Sequence, residues 1–289
     1  MNIHANENGS REVSSSYDEQ ITTIKSQSIL ESIDFKELIE YRDLFFFLVW
    51  KNIKVLYAQT VLGFLWAFLN PLIQIVIFSV IFGKLVKVDT GGIPYALFST
   101  VAIVPWTYMS GAMSASSQSL VTGQGMLGKV YFPRLIYPVT PVLSKLVDFG
   151  ISILLVATVL IYYGVVPTAN YIFLPIFMIM MVAVPAGIGL WLSSLAIRYR
   201  DVKFITPFLL NMLIYSAPIL YSANKIPEAY RFIYSLNPLV GVIEGFRSCL
   251  LGLAMPWGSI VPGLITTILL VSSGALYFKR MERVIVDVI

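Results

Sequence analysis

The sequence predicts an all-α polytopic membrane protein with six transmembrane helices. It also predicts an N-terminal amphipathic interface helix and a re-entrant external helical hairpin between helices 5 and 6. Of the 289 residues, 57% are hydrophobic and 12% are charged, whereas soluble domains carry about 45–50% apolar and about 25% charged residues. The mean hydropathy is +0.79, and the apolar residues form uncharged runs long enough to cross a bilayer. These observations exclude a soluble fold.

The N-terminal part of the chain is polar and then amphipathic. Residues 1–30 are rich in Ser, Asn, Gln and Glu and contain no apolar segment, which predicts a disordered cytoplasmic tail without a cleavable signal peptide. Asp34 and Glu37 resemble a capping box at a helix start. The apolar run Leu44–Trp50 is too short to span, and the flanking charged residues fall on the other side of a helix, so an interface helix is expected over about 34–54.

The remaining chain, from residue 31 to residue 289, is expected to form one transmembrane domain. Predominantly apolar stretches of about 20 residues are the signal for spanning helices. They occur at about 61–83, 94–118, 143–163, 172–197, 205–221 and 260–278. Between the last two, residues 222–257 contain only shorter apolar stretches, broken by Pro227, Asn237-Pro238, Glu244 and Arg247, which favours the re-entrant hairpin.

The positions of Lys and Arg predict the orientation of these spans. With the N-terminus inside, connectors on the inner side carry eight basic residues and those on the outer side carry four. The inner ones are Lys129, Arg134, Arg198, Arg200, Lys203, Lys279, Arg280 and Arg283, and the outer ones are Lys84, Lys87, Lys225 and Arg231. The positive-inside rule therefore places both termini in the cytoplasm.

Several kinds of chemistry find little support in the sequence. The net charge of +4 is explained by helix-flanking basic residues, so no nucleic-acid partner is expected. One cysteine and one histidine leave no disulfide, CxxC site or histidine-based metal site within the chain. Gly123–Lys129 matches GxxxxGK, but Val130 stands where a phosphate loop needs Ser or Thr. Lys145 and Asp148 are interpreted as a self-neutralising structural pair near a helix end.

The charged turn Arg198–Lys203 between two uncharged runs is the most specific local feature. Its simplest interpretation is a basic loop that fixes topology. Asp201 and Tyr199 add an acidic and an aromatic group, a mixture that favours docking to a partner protein. The many aromatic residues near span ends are typical of an interfacial belt, and they would also suit stacking against sugar rings.

Several stretches form a recognisable combination: the run Tyr41–Pro71, Phe132-Pro133-Arg134 with Pro138, Arg198-Tyr199-Arg200-Asp201, Pro218-Ile219-Leu220-Tyr221 with Ile226-Pro227, and Asn237-Pro238 with Arg247. Taken together, these stretches resemble type-2 ABC export permeases for O-antigen, capsule or teichoic-acid polysaccharides. The resemblance covers about residues 34–280, with Asn70-Pro71 standing where the family usually has Gln-Pro.

The resemblance implies a homodimer of permeases in the bacterial inner membrane with two copies of a separate ABC ATPase subunit. It implies that ATP and Mg²⁺ bind the ATPase, that this chain binds no cofactor and has no catalytic residue, and that the cargo is a polysaccharide on a polyprenyl diphosphate. ATPase coupling is assigned to Arg198, Tyr199, Arg200, Asp201, Val202, Arg42, Trp50, Lys129 and Arg134. The translocation path and gate are assigned to Trp66, Asn70, Trp106, Tyr108, Tyr215, Tyr221, Tyr234, Asn237 and Arg247.

Two alternatives remain open from the sequence. A drug or small-molecule exporter of the same permease class would share the fold and the coupling but carry a different cargo. A membrane-embedded lipid-linked sugar transferase would need clustered carboxylates for Mg²⁺ and diphosphate, and no connector holds a paired carboxylate motif.

Overall fold

The computed structural model describes residues 39–58, 60, 62–127 and 132–288. The predicted tail 1–30, the first residues of the interface helix and Lys129 lie outside these ranges. Ten helices of eight or more residues occur in the described part of the chain. They are α1 (Arg42–Tyr57), α2 (Leu65–Phe78), α3 (Tyr95–Thr122), α4 (Ile136–Ser144), α5 (Leu146–Tyr162), α6 (Leu174–Arg198), α7 (Val202–Ser216), α8 (Glu228–Ser235), α9 (Pro238–Leu251) and α10 (Trp257–Val288).

Shorter helical segments extend or connect these helices. A π-helical segment, Ser79–Leu85, continues α2, and a 3₁₀ segment, Ala169–Phe173, leads into α6. The turns Gln124–Leu127 and Ala223–Lys225 follow α3 and precede α8. The described part of the chain contains no strand, so the all-α prediction is confirmed there.

Helix α3 forms the centre of the bundle. It packs against α2, α4, α5, α6, α7 and α9, and buried residues occur along its whole length and on all its faces. Several of its buried hydroxyl groups bond to carbonyl oxygens; for example, Ser116 Oγ donates to the carbonyl of Pro138 at 2.6 Å. A helix surrounded by protein needs no polar outer face, which explains why α3 is not amphipathic.

Among the described residues, four helical stretches are long and apolar enough to cross a membrane. They are Leu65–Leu85, Ile136–Tyr162, Ala169–Arg198 and Trp257–Glu282. Helix α3 has 28 residues, but its many Ser and Thr lower its hydropathy, and α7 has only 15 residues. Length and hydropathy therefore support four of the six predicted spans.

Helix α7 ends earlier than expected, at Ser216 instead of Tyr221. Ala217 takes an extended conformation (φ −108°, ψ 155°), because a proline at position 218 disfavours helical geometry in the residue before it. The segment Ala217–Leu220 is buried and not helical. The predicted hairpin region contains two helices, α8 and α9, joined at Leu236–Asn237, and α9 is largely buried.

Candidate functional site

An inner cavity of about 430 Å³, named after the side of the membrane predicted for it, lies where the end of α1 meets α2, α3 and α5. Three residues predicted for the translocation path, Trp66, Asn70 and Tyr108, line it. Asn70 Oδ1 accepts a hydrogen bond of 3.1 Å from Gln74 one turn later. The cavity thus collects path residues from the successive helices α2 and α3.

An ion pair at the start of α5 lies in the wall of the inner cavity and is hydrogen-bonded to the end of α1. Lys145 Nζ lies 2.7 Å from Asp148 Oδ2, and their side chains are 23% and 22% exposed. The Tyr57 hydroxyl donates a hydrogen bond to the other carboxylate oxygen. Burial, reinforced by the hydrogen bond to Asp148, raises the pKa of Tyr57 above its usual value, so the phenol remains a donor. The predicted self-neutralising pair is confirmed.

Two of the predicted path aromatics on α3 are parts of the packed core. Tyr108 is 3% exposed, its hydroxyl donates to the carbonyl of Val142 at 3.1 Å, and its ring meets Phe149 edge-on. Trp106 is 4% exposed and belongs to the central hydrophobic cluster. Tyr108 also forms part of the lining of the inner cavity, whereas Trp106 does not.

Arg247 is fully buried and connects three elements at the opposite end of the bundle. From α9, its guanidinium pairs with Glu244 at 2.5 Å and donates to the carbonyl of Pro218 at 2.8 Å. Its Cζ lies 3.7 Å from the centre of the Phe98 ring on α3. Tyr95 on α3 donates to the carbonyl of Leu220. The segment after α7 is therefore held between α3 and α9.

The other predicted gate residues form a second set of bonds around the same segment. The Tyr234 hydroxyl donates to the Tyr221 hydroxyl at 3.1 Å, which in turn donates to the carbonyl of Tyr215 at 2.9 Å. Asn237 caps α9 by accepting from the Leu239 amide, and its Nδ2 donates to the carbonyl of Ser216. These contacts attach the α8–α9 hairpin to the end of α7.

An outer cavity of about 560 Å³ lies beside Arg247 and Glu244, between the α2–α3 and α7–α8 connectors. Asp89 and Lys225 join the two connectors by an ion pair of 2.7 Å. The hydrogen bond from Lys225, together with the one from the Gly91 amide, lowers the pKa of Asp89 below its usual value. This pair is therefore formed at neutral pH and is lost only when the pH falls through that lowered pKa.

The charged turn between α6 and α7 presents its polar side chains to the surface. Arg198, Arg200 and Asp201 are exposed, and Tyr199 is 51% exposed, with the Arg198 guanidinium 5.4 Å from its ring. Val202 is buried and anchors the start of α7. Four of the five predicted coupling residues in this turn are thus available for contact.

A second, smaller hydrophobic cluster connects this turn with α1 and the segment before α4. Its buried residues are Leu120, Phe132, Leu190, Ile197 and Phe278, with Tyr41, Leu44, Leu135, Tyr137 and Ala275 packed against them. Three predicted coupling residues, Arg42, Arg134 and Arg198, are sequence neighbours of its members. Arg134 donates to the carbonyl of Glu282 at 3.3 Å. Trp50 lies on the outward side of α1 and is 57% exposed.

Some residues at these sites were not singled out by sequence reasoning. Tyr57 bonds Asp148 across 91 positions, and Phe98 receives the Arg247 guanidinium from the distant helix α9, so no local pattern indicates either contact. Glu244 could have been identified, because it stands three residues before Arg247 on one helix, a spacing at which opposite charges meet.

Comparison with known proteins gives the family. A family model described as ABC-2 type transporter matches residues 43–251. The chain is 25% identical over 252 residues to the O-antigen export system permease protein RfbA of Myxococcus xanthus, covering 86% of this chain and 96% of that protein. It is 28% identical over 233 residues to RfbA of Klebsiella pneumoniae, covering 80% and 89%. It is 23% identical over 206 residues to the polysialic acid transport protein KpsM of Escherichia coli, covering 70% and 78%. The chain belongs to the ABC-2 type transporter family.

Proposed function

We propose that this chain is the transmembrane permease subunit of an ABC transporter that exports a lipid-linked, O-antigen-like polysaccharide across the bacterial inner membrane. ATP hydrolysis on a separate ATPase subunit drives the export. The observation that carries the proposal is similarity over most of the chain to permeases whose names state O-antigen export and polysialic acid transport.

The proposed assembly contains two copies of this chain and two ATPase subunits, with ATP and Mg²⁺ bound by the ATPases. Residues 31–289 form the transmembrane domain, preceded by the cytoplasmic tail 1–30, and both termini are cytoplasmic. Helices α3 and α7 are the second and fifth of six spans, and α8–α9 form the re-entrant hairpin. The burial of α3 inside the bundle supports its assignment as a span despite its low hydropathy.

The proposed coupling surface combines the charged turn, α1 and the segment before α4. Its residues are Arg42, Trp50, Lys129, Arg134, Arg198, Tyr199, Arg200, Asp201 and Val202. The smaller hydrophobic cluster that joins these elements supports the assignment, because a packed core transmits a displacement of one element to its neighbours. A push on the charged turn therefore moves α6, α10 and α1 together.

The proposed path runs from the inner cavity towards the hairpin. Trp66, Asn70, Trp106 and Tyr108 belong to its inner part, and Tyr215, Tyr221, Tyr234, Asn237 and Arg247 control its outer end. Two polar clusters at opposite ends of the bundle support this arrangement, because each contains hydrogen-bonding groups that a polyhydroxylated cargo could engage.

A charge reversal in the turn tests the proposal. Arg200→Glu should insert normally, since the residue is exposed, but should lower export of surface polysaccharide by at least about tenfold, which corresponds to about 1.4 kcal/mol of interface energy. The control is Arg280→Glu, an exposed arginine on α10 outside the proposed coupling set, which should export normally.

The measurement compares surface polysaccharide, membrane abundance of the chain and co-purification of the ATPase in a strain deleted for the chain and complemented with each variant. Export at the wild-type level by Arg200→Glu contradicts the coupling assignment. Unchanged surface polysaccharide in the deletion strain contradicts the cargo, and a changed drug sensitivity there would favour a small-molecule exporter.

A further inference from the structure

The outer cavity, which lies at the outer end of the proposed path, has the composition of a ligand site. Its volume of about 560 Å³ falls within the range of about 300–1,000 Å³ typical of small-molecule pockets. The polar side chains that line it are Asp89, Thr90, Ser222, Asn224, Lys225, Glu244, Arg247 and Ser248. They come from the α2–α3 connector, the α7–α8 connector and α9.

The charges in this lining cancel. Asp89 faces Lys225 at 2.7 Å, and Glu244 faces Arg247 at 2.5 Å, so the cavity carries two carboxylates and two cations. A free anion or cation would have to compete with one of these pairs. A neutral ligand with hydroxyl groups can donate to carboxylates and accept from cations and amides without separating either pair.

Arg247 supplies an unused donor in the wall of this cavity. The side chain is 2% exposed, and its Nε is buried without a hydrogen-bond acceptor among the described residues. Its two other nitrogens bond Glu244 and the carbonyl of Pro218. A buried donor left without an acceptor costs about 1–3 kcal/mol, so an oxygen brought by a ligand would be bound favourably there.

We propose that the outer cavity binds a neutral sugar unit of the exported chain, as an exit subsite within each protomer. The inference rests on the proposed function for the identity of its ligand. Binding at this subsite must be weak, because a transported polymer has to leave each site that it enters. The exposed amide of Asn224 and the ammonium of Lys225 contact sugar hydroxyls at the mouth, and Arg247 Nε–H bonds an oxygen at the inner wall.

Protection of an introduced thiol measures this binding. The chain has one cysteine, Cys249, which is buried, so a Cys249→Ser background carrying Ser222→Cys places one reactive thiol in the cavity lining. The complex with its ATPase is placed in lipid nanodiscs and labelled with a maleimide. The probe is the polysaccharide released from its lipid by mild acid.

We expect labelling of Ser222→Cys to slow by about tenfold when the polysaccharide is present at about ten times its dissociation constant. The control is Val166→Cys in the α5–α6 connector, which is 75% exposed and lies outside the cavity, and its labelling should not change. Adding Asn224→Ala, a change at an exposed side chain, should remove most of the protection while leaving the unprotected labelling rate unchanged.

Equal labelling of Ser222→Cys with and without polysaccharide, in a complex that exports normally, overturns the subsite and leaves the proposed function intact. Equal slowing at Val166→Cys shows that the polymer merely shields the surface, and it also overturns the subsite. Failure of the proposed function is distinguished independently, since surface polysaccharide then persists in the strain deleted for the chain.

Discussion

At the residue scale, the ion pair in the inner cavity is predicted to stabilise the junction between α1 and α5. Asp148→Asn keeps the shape of the side chain but leaves Lys145 without its carboxylate and Tyr57 with a weaker acceptor. The expected loss of stability is about 1–3 kcal/mol. It should be visible as a lower thermal unfolding midpoint of the purified complex.

Tyr57→Phe provides the matched comparison for that variant. It removes one hydrogen bond to Asp148 and leaves the pair with Lys145 intact, so its loss should be smaller, about 1 kcal/mol. An unfolding midpoint for Asp148→Asn equal to that of the unmodified protein would show that the pair contributes nothing to stability.

Sequence reasoning at this scale identifies charges but not their distant partners. The pairs Lys145–Asp148 and Glu244–Arg247 follow from a spacing of three residues within one helix, and both are present. The Tyr57, Phe98 and Pro218 partners of these pairs come from other helices and connectors. Their approach depends on how the helices cross, which one sequence does not encode locally.

At the scale of elements, the contact between α6 and α10 is predicted to depend on two glycines. A Cβ atom added at Gly274 would lie 2.8 Å from the carbonyl oxygen of Gly187, and a backbone oxygen in the middle of a helix cannot move aside. Gly274→Ala should therefore push the helices apart and destabilise the protein by roughly 1–3 kcal/mol. Thermal unfolding of the purified complex measures the effect.

Gly258→Ala on the same helix is the control for that substitution. An added Cβ at Gly258 meets nothing within 4 Å, and alanine favours the helix by up to about 1 kcal/mol over glycine. The control should be neutral or slightly stabilising. A Gly274→Ala variant as stable as the Gly258→Ala variant would contradict the close contact between α6 and α10.

The positions of the helices follow closely from the apolar runs, and the deviations have local causes. The third apolar stretch begins at Ile136 instead of residue 143, although Pro138 and Pro141 interrupt the sequence there. Pro138 occupies the first turn of α4, where its missing N–H has no partner within the helix. Pro138 therefore does not end the helix, and α4 also continues through Pro141 to Ser144.

At the scale of the whole molecule, the bundle places its polar functions at opposite ends. The charged turn and the smaller hydrophobic cluster lie at one end of α6. The outer cavity and the Arg247 contacts lie beside the connectors that follow α2 and α7. Helix α3 links the ends, since it carries Phe98 and Tyr95 near its start and Leu120 near its finish. A displacement at the turn can therefore reach the Arg247 region through one continuous helix.

This arrangement requires α3 and α7 to cross the membrane, although α3 is less apolar than the four spanning stretches and α7 is an apolar helix of only 15 residues. Polar groups inside a bilayer are tolerated where neighbouring helices enclose them, and the Ser and Thr residues of α3 are largely enclosed. A helix of 15 residues rises only about 22 Å, less than the hydrocarbon thickness of about 30 Å. The buried segment Ala217–Leu220 follows α7 and, in the proposed topology, supplies the remaining length of the crossing.

Single cysteines in the Cys249→Ser background test both crossings. Gly91→Cys and Gly125→Cys flank α3, and Arg200→Cys and Asn224→Cys flank α7. An impermeant maleimide added to spheroplasts should label Gly91→Cys and Asn224→Cys at once, but Gly125→Cys and Arg200→Cys only after permeabilisation. If Gly91→Cys and Gly125→Cys labelled from the same side, α3 would not cross the membrane. The charged turn would then face the outer side instead of the cytoplasm. Equal labelling of Arg200→Cys and Asn224→Cys would exclude α7 in the same way, and the coupling surface and outer cavity could not then lie on opposite sides of the membrane.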